Sequence, residues 1–345
     1  MGKESVPRKH HYIPQFYLRG FSDRGFGDKR GQVCVIDLRA KKCFTTSPEN
    51  IAQVRDFYAF ENPDGELDFR IESQFFTGID GKAAQIIGKI ERLQEVTPAK
   101  DWEGLCRFIA SLEVRTPSQR QVSYEMQQHM SDLLNSHLAT SLEACEERLR
   151  RYEAETGKKS TISPTELQEQ AVSHRVDIPQ NEHVELMMSL IPTIEANVRR
   201  MTPHLLIAGE DEQFISSDFP IVKFDTNEER RREGLMGVGW ATPEVEVTIP
   251  LTRTRCLVLN WDGKPNVMTA TNETIAYCNT MQLAMSFQYV FASGNDFCFL
   301  TENEGIVRGK DEAFKRYADR KLGHRAQING GGIARRPPVI APLKA

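Results

Sequence analysis

The spacing of hydrophobic residues predicts strands at the start of the chain and helices soon after. QVCVIDL (32–38) and KCFTT (42–46) are β-rich runs separated by a polar turn, so they predict a β-hairpin. Ser47 and Pro48 then suit the N-cap and the first position of a short helix. From Leu67 to Leu93 apolar residues recur at helical spacing, which predicts one face of an amphipathic helix.

Helical spacing continues through the middle of the chain. Thr116-Pro117 stops one helix and can cap the next. SPTE (163–166) is a capping-box pattern, with Ser at the N-cap position and Glu at the third helical position. The apolar stripes that predict these helices run over residues 102–112, 122–149 and 181–201.

After Pro203 the spacing changes to that of strands. LLIAG (205–209) and QFISSD (213–218) predict a hairpin, and EVEVTIPL (244–251) and CLVLNW (256–261) predict a second one. The remaining pattern predicts a helix at 272–287 and a strand at 288–293.

This order of elements predicts an α+β fold. Because strands and helices do not alternate as βαβ units, we expect a mostly antiparallel sheet from N-terminal and C-terminal strands, packed against central long helices. We predict one domain over residues 1–300 and a basic C-terminal segment at 301–345, whose last part is irregular. Within the domain, the N-terminal motif and β region cover 9–62, the helices 66–202, and the C-terminal hairpins and helix 203–293.

The composition is that of an ordinary globular protein, with 39% apolar and 27% charged residues among 345. No apolar run reaches the about 18 residues of a membrane helix, and the first residues lack the apolar segment of a secretory signal. The seven cysteines include no C-x-x-C pair and are interpreted as reduced thiols. We therefore expect a cytoplasmic protein that does not enter membranes.

The charge is unevenly distributed along the chain. The net charge is −4, but from Lys315 onward eight Lys or Arg stand against one acid. A basic end on an acidic body suits phosphate-bearing partners such as nucleic acid or nucleotides. A solubilising tail or an oligomer contact is the alternative interpretation.

The stretch KHHYIPQFYLRGF (9–21) carries the most distinctive candidate chemistry. Imidazole titrates near neutral pH, so His10 or His11 suits an acid–base role. Adjacent residues do not share a face of a strand or helix, so we expect only one of the two to be reactive. Pro14 and Gly20 predict a short helix with the histidines at its start. The alternative is that both histidines serve an aromatic anchor of the fold.

Other polar residues near apolar positions complete the candidate set. Asp218 follows a buried strand in FISSDFP and suits a base, a metal ligand or a residue that orients histidine. Glu72 lies beside an apolar stripe, where a carboxylate needs a partner, and Arg115 suits that partner or a phosphate. For each of these residues a turn, a cap or an internal salt bridge is the structural alternative. Candidate substrate-binding residues are Arg115, Gln15, Ser217 and Asn279, and no metal ligands are assigned.

HHYIPQFYLRGF resembles the opening of a bacterial family of proteins of unknown function, whose members begin close to His-His-Tyr-Val-Pro-Gln-Phe-Tyr-Leu-Arg-Asn-Phe. The resemblance spans roughly residues 9 to 295 and implies a residue set without an activity: His10, His11, Glu72, Arg115, Asp218 and Asn279. Phe219 stands where the family usually has Asn, so a side-chain amide is missing there. The later segments that look like the family are RDFYAF, RIESQF, VRTP, FISSDFP and TIPLT.

These residues lead to two functional hypotheses. The first is a hydrolase, a phosphodiesterase or nuclease, in which His10 or His11 is the acid–base group. Asp218 and Glu72 then orient it or hold a divalent cation, Mg²⁺ or Mn²⁺, while Arg115 binds phosphate. The second is a non-catalytic binding or sensor module in which the same residues form a structural network. Apolar stripes on the long helices also suit an oligomer contact.

Overall fold

The structure of the protein, a computed structural model, describes residues 8–95, 99–227, 229, 238–301 and 305–318. The strands are β1 Lys9–His11, β2 Val33–Asp37, β3 Lys42–Thr46, β4 Gln53–Arg55, β5 Phe60–Glu61, β6 Leu67–Asp68, β7 Thr202–Ile207, β8 Ser216–Ser217, β9 Val222–Asp225, β10 Val245–Thr252, β11 Arg255–Asn260, β12 Asn266–Thr269, β13 Tyr289–Ala292, β14 Cys298–Thr301 and β15 Gly305–Arg308. The helices are α1 Gln15–Arg19, α2 Thr77–Leu93, α3 Ala99–Val114, α4 Pro117–Thr140, α5 Leu142–Thr156, α6 Pro164–Ser173, α7 Gln180–Arg200, α8 Asn272–Met285 and α9 Lys310–Tyr317, with a 3₁₀ turn at Pro48–Asn50 and a π-helix at Ile71–Phe76.

Two sheets form the β part of the fold. The four-stranded sheet has the order β3-β2-β13-β8, and the five-stranded sheet has the order β12-β7-β11-β10-β9. All of their pairings are antiparallel except β12 with β7. Because β2 and β3 pair in one sheet with β13 and β8, strands from both ends of the chain meet, and the predicted α+β class is confirmed.

One predicted hairpin is correct and the other is wrong. EVEVTIPL and CLVLNW form the antiparallel pair β10–β11. LLIAG instead belongs to β7, which pairs with β11 and β12, whereas QFISSD contributes β8 to the other sheet. The two segments do not pair with each other because their backbone groups bond to residues that are distant in sequence. The Phe214 N–H, for example, donates to the carbonyl of Arg253.

The long helices differ from the sequence prediction at three places. Leu67 lies in β6 and is 40% exposed, so the predicted stripe begins only at the π-helix. The stripe over 122–149 is divided at Ser141, whose hydroxyl accepts a hydrogen bond from the Ala144 N–H and caps α5. Met126 and Met130 on that stripe are exposed rather than buried. The capping box at Ser163–Glu166 is present as predicted.

The histidine pair also differs from prediction in its local structure. His10 and His11 lie in β1, which pairs with β4, and not at the first turn of a helix. The short helix α1 does follow Pro14 and does end at Gly20. The extended backbone matters for function because it sends the two adjacent side chains to opposite sides of β1.

The chain divides into two compact units, one of residues 1–118 and 184–345 and the other of residues 119–183. Our single domain over 1–300 stays a prediction. The predicted irregular tail after Ile328 lies outside the described residues. No helix among the described residues is long and apolar enough to cross a membrane.

The main core of the first unit lies on one face of the five-stranded sheet. Alternate residues of β10, among them Val247, Ile249 and Leu251, point into it together with apolar residues of α1, α2, α3 and α7. The opposite face packs against α8. A third cluster joins the four-stranded sheet to α9. The main core therefore surrounds α1, which directly follows the histidine strand.

Candidate functional site

His10 points into an aromatic part of the core. Its side chain is fully buried, its ring stacks on Tyr58 with centroids 5.6 Å apart, and Phe69 meets it edge-on. Its Nδ1 accepts a hydrogen bond of 2.9 Å from the backbone N–H of Tyr58. An imidazole engaged in this way positions the chain around Tyr58, and the observed contacts give His10 a structural role.

His11 points to the other side of β1 and is only half-buried. Burial lowers the pKa of its imidazole, and the positive charge of Arg115 lowers it further. Hydrogen bonds from the ring to the backbone of Glu49 and Pro48 raise the pKa and so oppose this shift. Nε2 is buried and has no hydrogen-bond partner among the described residues, so we assign those backbone contacts to Nδ1. His11 is therefore neutral at neutral pH, and the lone pair on its buried Nε2 is not engaged by any described residue.

Glu72 meets His11 through the backbone. The N–H of Tyr12 donates to the carbonyl of Ala52, next to the β1–β4 pair. Because the N–H groups of successive residues in an antiparallel strand point to opposite sides, the N–H of His11 points away from β4. The carboxylate of Glu72 accepts a hydrogen bond from that N–H. Glu72 lies in the π-helix, a geometry that is frequent at functional sites.

The carboxyl group of Glu72 is strongly perturbed. Burial raises its pKa to about 7, the charge of Arg115 opposes the rise, and the charge of Asp80 adds to it. Its Oε2 is buried and has no hydrogen-bond partner among residues that the structure describes. A carboxyl group with a pKa near neutrality can donate a proton at neutral pH, which an ordinary glutamate cannot.

Arg115 and Asp80 form the charged base of this site. Both terminal nitrogens of the fully buried guanidinium donate to the Asp80 carboxylate, at 2.9 and 3.2 Å. The guanidinium also lies against the rings of Phe76 and Phe108. Since this bidentate pair already occupies both terminal nitrogens, Arg115 sets the local electrostatics and is poorly placed to bind a phosphate.

A second arginine is better placed for a ligand. Arg19 lies on α1 one turn after Gln15, whose side-chain oxygen accepts a hydrogen bond of 3.2 Å from it. Its nearest carboxylate, on the mostly exposed Glu49, is 3.9 Å away. The backbone of Glu49 also contacts the His11 ring, so Arg19 and His11 share a neighbour. Gln15, predicted as a substrate-binding residue, is thus on the same side as Arg19.

Asp218 is occupied by the backbone. Its carboxylate accepts hydrogen bonds from the N–H groups of Phe287, Gln288 and Tyr289, at 2.7 to 2.9 Å. Burial raises its pKa to about 6 while these three bonds oppose the rise. These contacts make Asp218 the anchor of the turn before β13, and they leave its oxygens no position from which to orient His11.

Ser217 and Asn279 are likewise engaged in internal hydrogen bonds. Ser217 donates to the side chain of Gln282. Asn279 accepts from the Ile215 N–H and donates to the carbonyls of Gln213 and Cys298, which joins α8 to the strands beside it. The geometry therefore brings His11, Glu72 and Arg115 together and directs Asp218, Ser217 and Asn279 to other partners.

Sequence reasoning did not find Asp80 and Arg19. Asp80 lies eight positions after Glu72, about two helical turns, so the spacing alone could have placed both on one side. Arg19 lies four positions after Gln15 within the distinctive N-terminal stretch, which is the same kind of signal. Among the described residues no group of three or more His, Cys, Asp or Glu side chains is arranged to hold a metal ion.

Comparison with known proteins adds a family. A family model described as "Protein of unknown function (DUF4238)" matches residues 9–296, which includes β1 and every site residue named above. No curated protein and no solved structure matches the chain.

Proposed function

The chain belongs to the DUF4238 family of proteins of unknown function, and from the arrangement around His11 we propose that it is a hydrolase of phosphate esters, a phosphodiesterase or nuclease. One observation carries the proposal. A neutral histidine with an unengaged Nε2 lies beside a carboxyl group whose pKa is raised to about 7 and whose Oε2 is also unengaged by the described residues. A lowered pKa for the base and a raised pKa for the acid are typical of acid–base pairs in enzymes.

The two groups suit complementary roles in hydrolysis. His11 takes a proton from water through Nε2 as the water attacks the ester, and Glu72 gives its proton to the leaving oxygen. After this step the imidazolium and the carboxylate return to their neutral forms by proton exchange with solvent. The charge of Arg115 keeps the pKa of His11 low and limits that of Glu72, whereas the charge of Asp80 raises both.

Arg19 supplies the positive charge that an anionic substrate requires. Its Nη2 donates to the neutral oxygen of Gln15, its Nε is buried and has no hydrogen-bond partner among the described residues, and about 20% of the side chain is exposed. A partly exposed guanidinium that is hydrogen-bonded to a neutral amide and has no carboxylate closer than 3.9 Å suits the oxygens of a phosphate. In this proposal Arg19 replaces Arg115 as the phosphate-binding residue.

The experiment compares the purified parent with three variants. Single-stranded RNA, duplex DNA, cyclic nucleotides and bis(p-nitrophenyl) phosphate are tested with EDTA, Mg²⁺ or Mn²⁺. We expect turnover by the parent, a loss of kcat in Glu72→Gln, and a raised KM with retained kcat in Arg19→Gln. Arg30→Gln, which removes a 78% exposed arginine from a turn, is the matched control and should leave both constants unchanged. No turnover of any substrate by the folded parent would refute the proposal.

A non-catalytic binding module is the second candidate, and the contacts of Asp218 and Asn279 favour it. Their polar atoms are engaged by the backbone, as expected for a network that maintains the fold. In that case, nucleotides would raise the melting temperature of the parent without being converted. Arg19→Gln would abolish that rise, whereas Glu72→Gln would preserve it.

The same proposal includes four further points. They are nucleic acid as the partner, an oligomer through the helical region, a divalent cation, and a location in the bacterial cytoplasm. Gel-shift and light-scattering measurements with the full chain test the first two. Turnover in EDTA against Mg²⁺ or Mn²⁺ tests the third.

A further inference from the structure

Two of the seven cysteines touch each other across the β2–β3 hairpin. Cys34 pairs with Thr45 and Cys43 pairs with Ile36, so the two cysteines are diagonal neighbours on one face. Their sulfur atoms are 3.3 Å apart. Since the bond in a disulfide is about 2.05 Å long, the sulfurs need to approach by only about 1.3 Å to join.

The pair differs from the other cysteines in its accessibility. β3 is an edge strand of the four-stranded sheet, and Cys43 on it is only half-buried. Cys34 lies behind it and is 6% exposed. The remaining five cysteines are all buried. A small oxidant can therefore reach Cys43 from solvent, and Cys34 is the thiol next to it.

A positive charge lies beside both thiols. Lys310, the first residue of α9, interacts electrostatically with Cys34 and with Cys43, and its ammonium pairs with Asp311 at 2.8 Å. Burial raises the pKa of the Cys34 thiol to about 12, and the charge of Lys310 opposes that rise.

We propose that Cys34 and Cys43 form a redox modification site in which a peroxide converts the two thiols to an intramolecular disulfide. The Cys43 thiolate attacks one peroxide oxygen, the O–O bond breaks, and the leaving hydroxide takes a proton to become water. The Cys34 sulfur then attacks the sulfenic sulfur of Cys43, and the S–O bond breaks with loss of a second water. Two thiols and one hydrogen peroxide thus give one disulfide and two waters.

The site is tested by peptide mapping of the full chain. The folded protein is exposed to hydrogen peroxide, the remaining thiols are alkylated, and the protein is digested with trypsin. Cleavage after Arg30, Arg39, Lys42 and Arg55 places Cys34 and Cys43 on separate peptides, 31–39 and 43–55. We expect these two peptides to be recovered joined, two hydrogens lighter than their sum, and to separate on reduction with dithiothreitol.

The chain provides its own control. Cys278 hydrogen-bonds Cys256 but is fully buried, so that pair should remain reduced under the same treatment. Cys43→Ser changes a half-buried residue and should abolish the joined peptide while the protein remains folded. Equal oxidation of both pairs would overturn the proposal. Recovery of Cys43 joined to Cys43 of a second molecule, or of both thiols alkylated after oxidation, would also overturn it.

Discussion

The carboxylate of Glu72 accepts a hydrogen bond from the backbone N–H of His11, so one residue of β1 contributes both an imidazole and an anchor for the neighbouring carboxyl group. The contact depends on the strand geometry, because the N–H of His11 is on the side of β1 that β4 does not use. Because the contact uses the backbone of His11, we expect it to persist when the His11 side chain is replaced.

Glu72→Gln should increase stability at alkaline pH. The folded-state pKa of Glu72 is raised from 4.5 to about 7. The protonated carboxyl therefore contributes fully to the free energy of unfolding below pH 4.5, and this contribution decreases as the pH rises to 7. The parent should lose on the order of 3 kcal/mol relative to the variant over that window. Urea unfolding at pH 4.5 and pH 8 measures the difference.

Glu155→Gln provides the control for that measurement. Glu155 is exposed, and a hydrogen bond from Arg151 lowers its pKa, so the difference in stability between parent and Glu155→Gln should depend weakly on pH and with the opposite sign. A stability difference between parent and Glu72→Gln that does not change with pH would contradict the raised pKa.

The rate of hydrolysis should have a bell-shaped dependence on pH. The base requires neutral His11, whose pKa is lowered from 6.5, and the acid requires protonated Glu72, whose pKa is about 7. Activity should rise up to a pH below 6.5 and fall as pH passes 7. Measurements of kcat/KM from pH 5 to pH 9 test this expectation, and a rate that continues to rise above pH 8 would exclude Glu72 as the acid.

Asp80→Asn should destabilise the protein strongly. It leaves the fully buried guanidinium of Arg115 without its carboxylate, and a broken buried pair costs about 3–5 kcal/mol. Asp68→Asn is the matched control, since Asp68 bonds an arginine that is 74% exposed and its loss should cost less than about 1 kcal/mol. Chemical denaturation of both variants measures the two losses of stability. Equal losses would show that burial of the arginine partner does not determine the cost.

His10→Ala and His11→Ala should have different effects although the residues are adjacent. The first variant leaves the Tyr58 N–H unsatisfied and opens a cavity among aromatic rings, so we expect a loss of about 2–4 kcal/mol. The second removes a half-buried ring and should cost no more than about 1 kcal/mol while it abolishes turnover. Equal losses of stability would mean that both histidines are structural.

Asp218→Ala should destabilise without changing the alkaline limb of the rate profile. Three backbone N–H groups before and within β13 lose their acceptor, which we expect to cost about 3 kcal/mol. Thermal unfolding measures the loss, and a kcat/KM profile at a temperature below the transition tests the site. A displaced alkaline limb would indicate that Asp218 acts on Glu72.

Much of the site could be predicted from residue type and local context. His11, Glu72 and Arg115 stood out because each places a titratable or charged group beside apolar neighbours, where it needs a partner. The same reasoning selected Asp218 and Asn279. A buried polar residue that binds a ligand and one that bonds to the backbone have the same local sequence pattern. Their hydrogen bonds to residues 64 to 71 positions away decide the matter, and no local pattern contains that information.

By itself the sequence determined the α+β class, the β10–β11 hairpin, the capping box at Ser163–Glu166, the short helix after Pro14 and the rule that His10 and His11 cannot share a face. These follow from spacing and backbone preferences that act over a few residues. Only the tertiary structure decided which histidine is buried, that Asp80 occupies Arg115, that β7 and β8 lie in different sheets, and that Cys34 touches Cys43. Burial and electrostatic fields are set by atoms far away along the chain, so residue spacing cannot encode them.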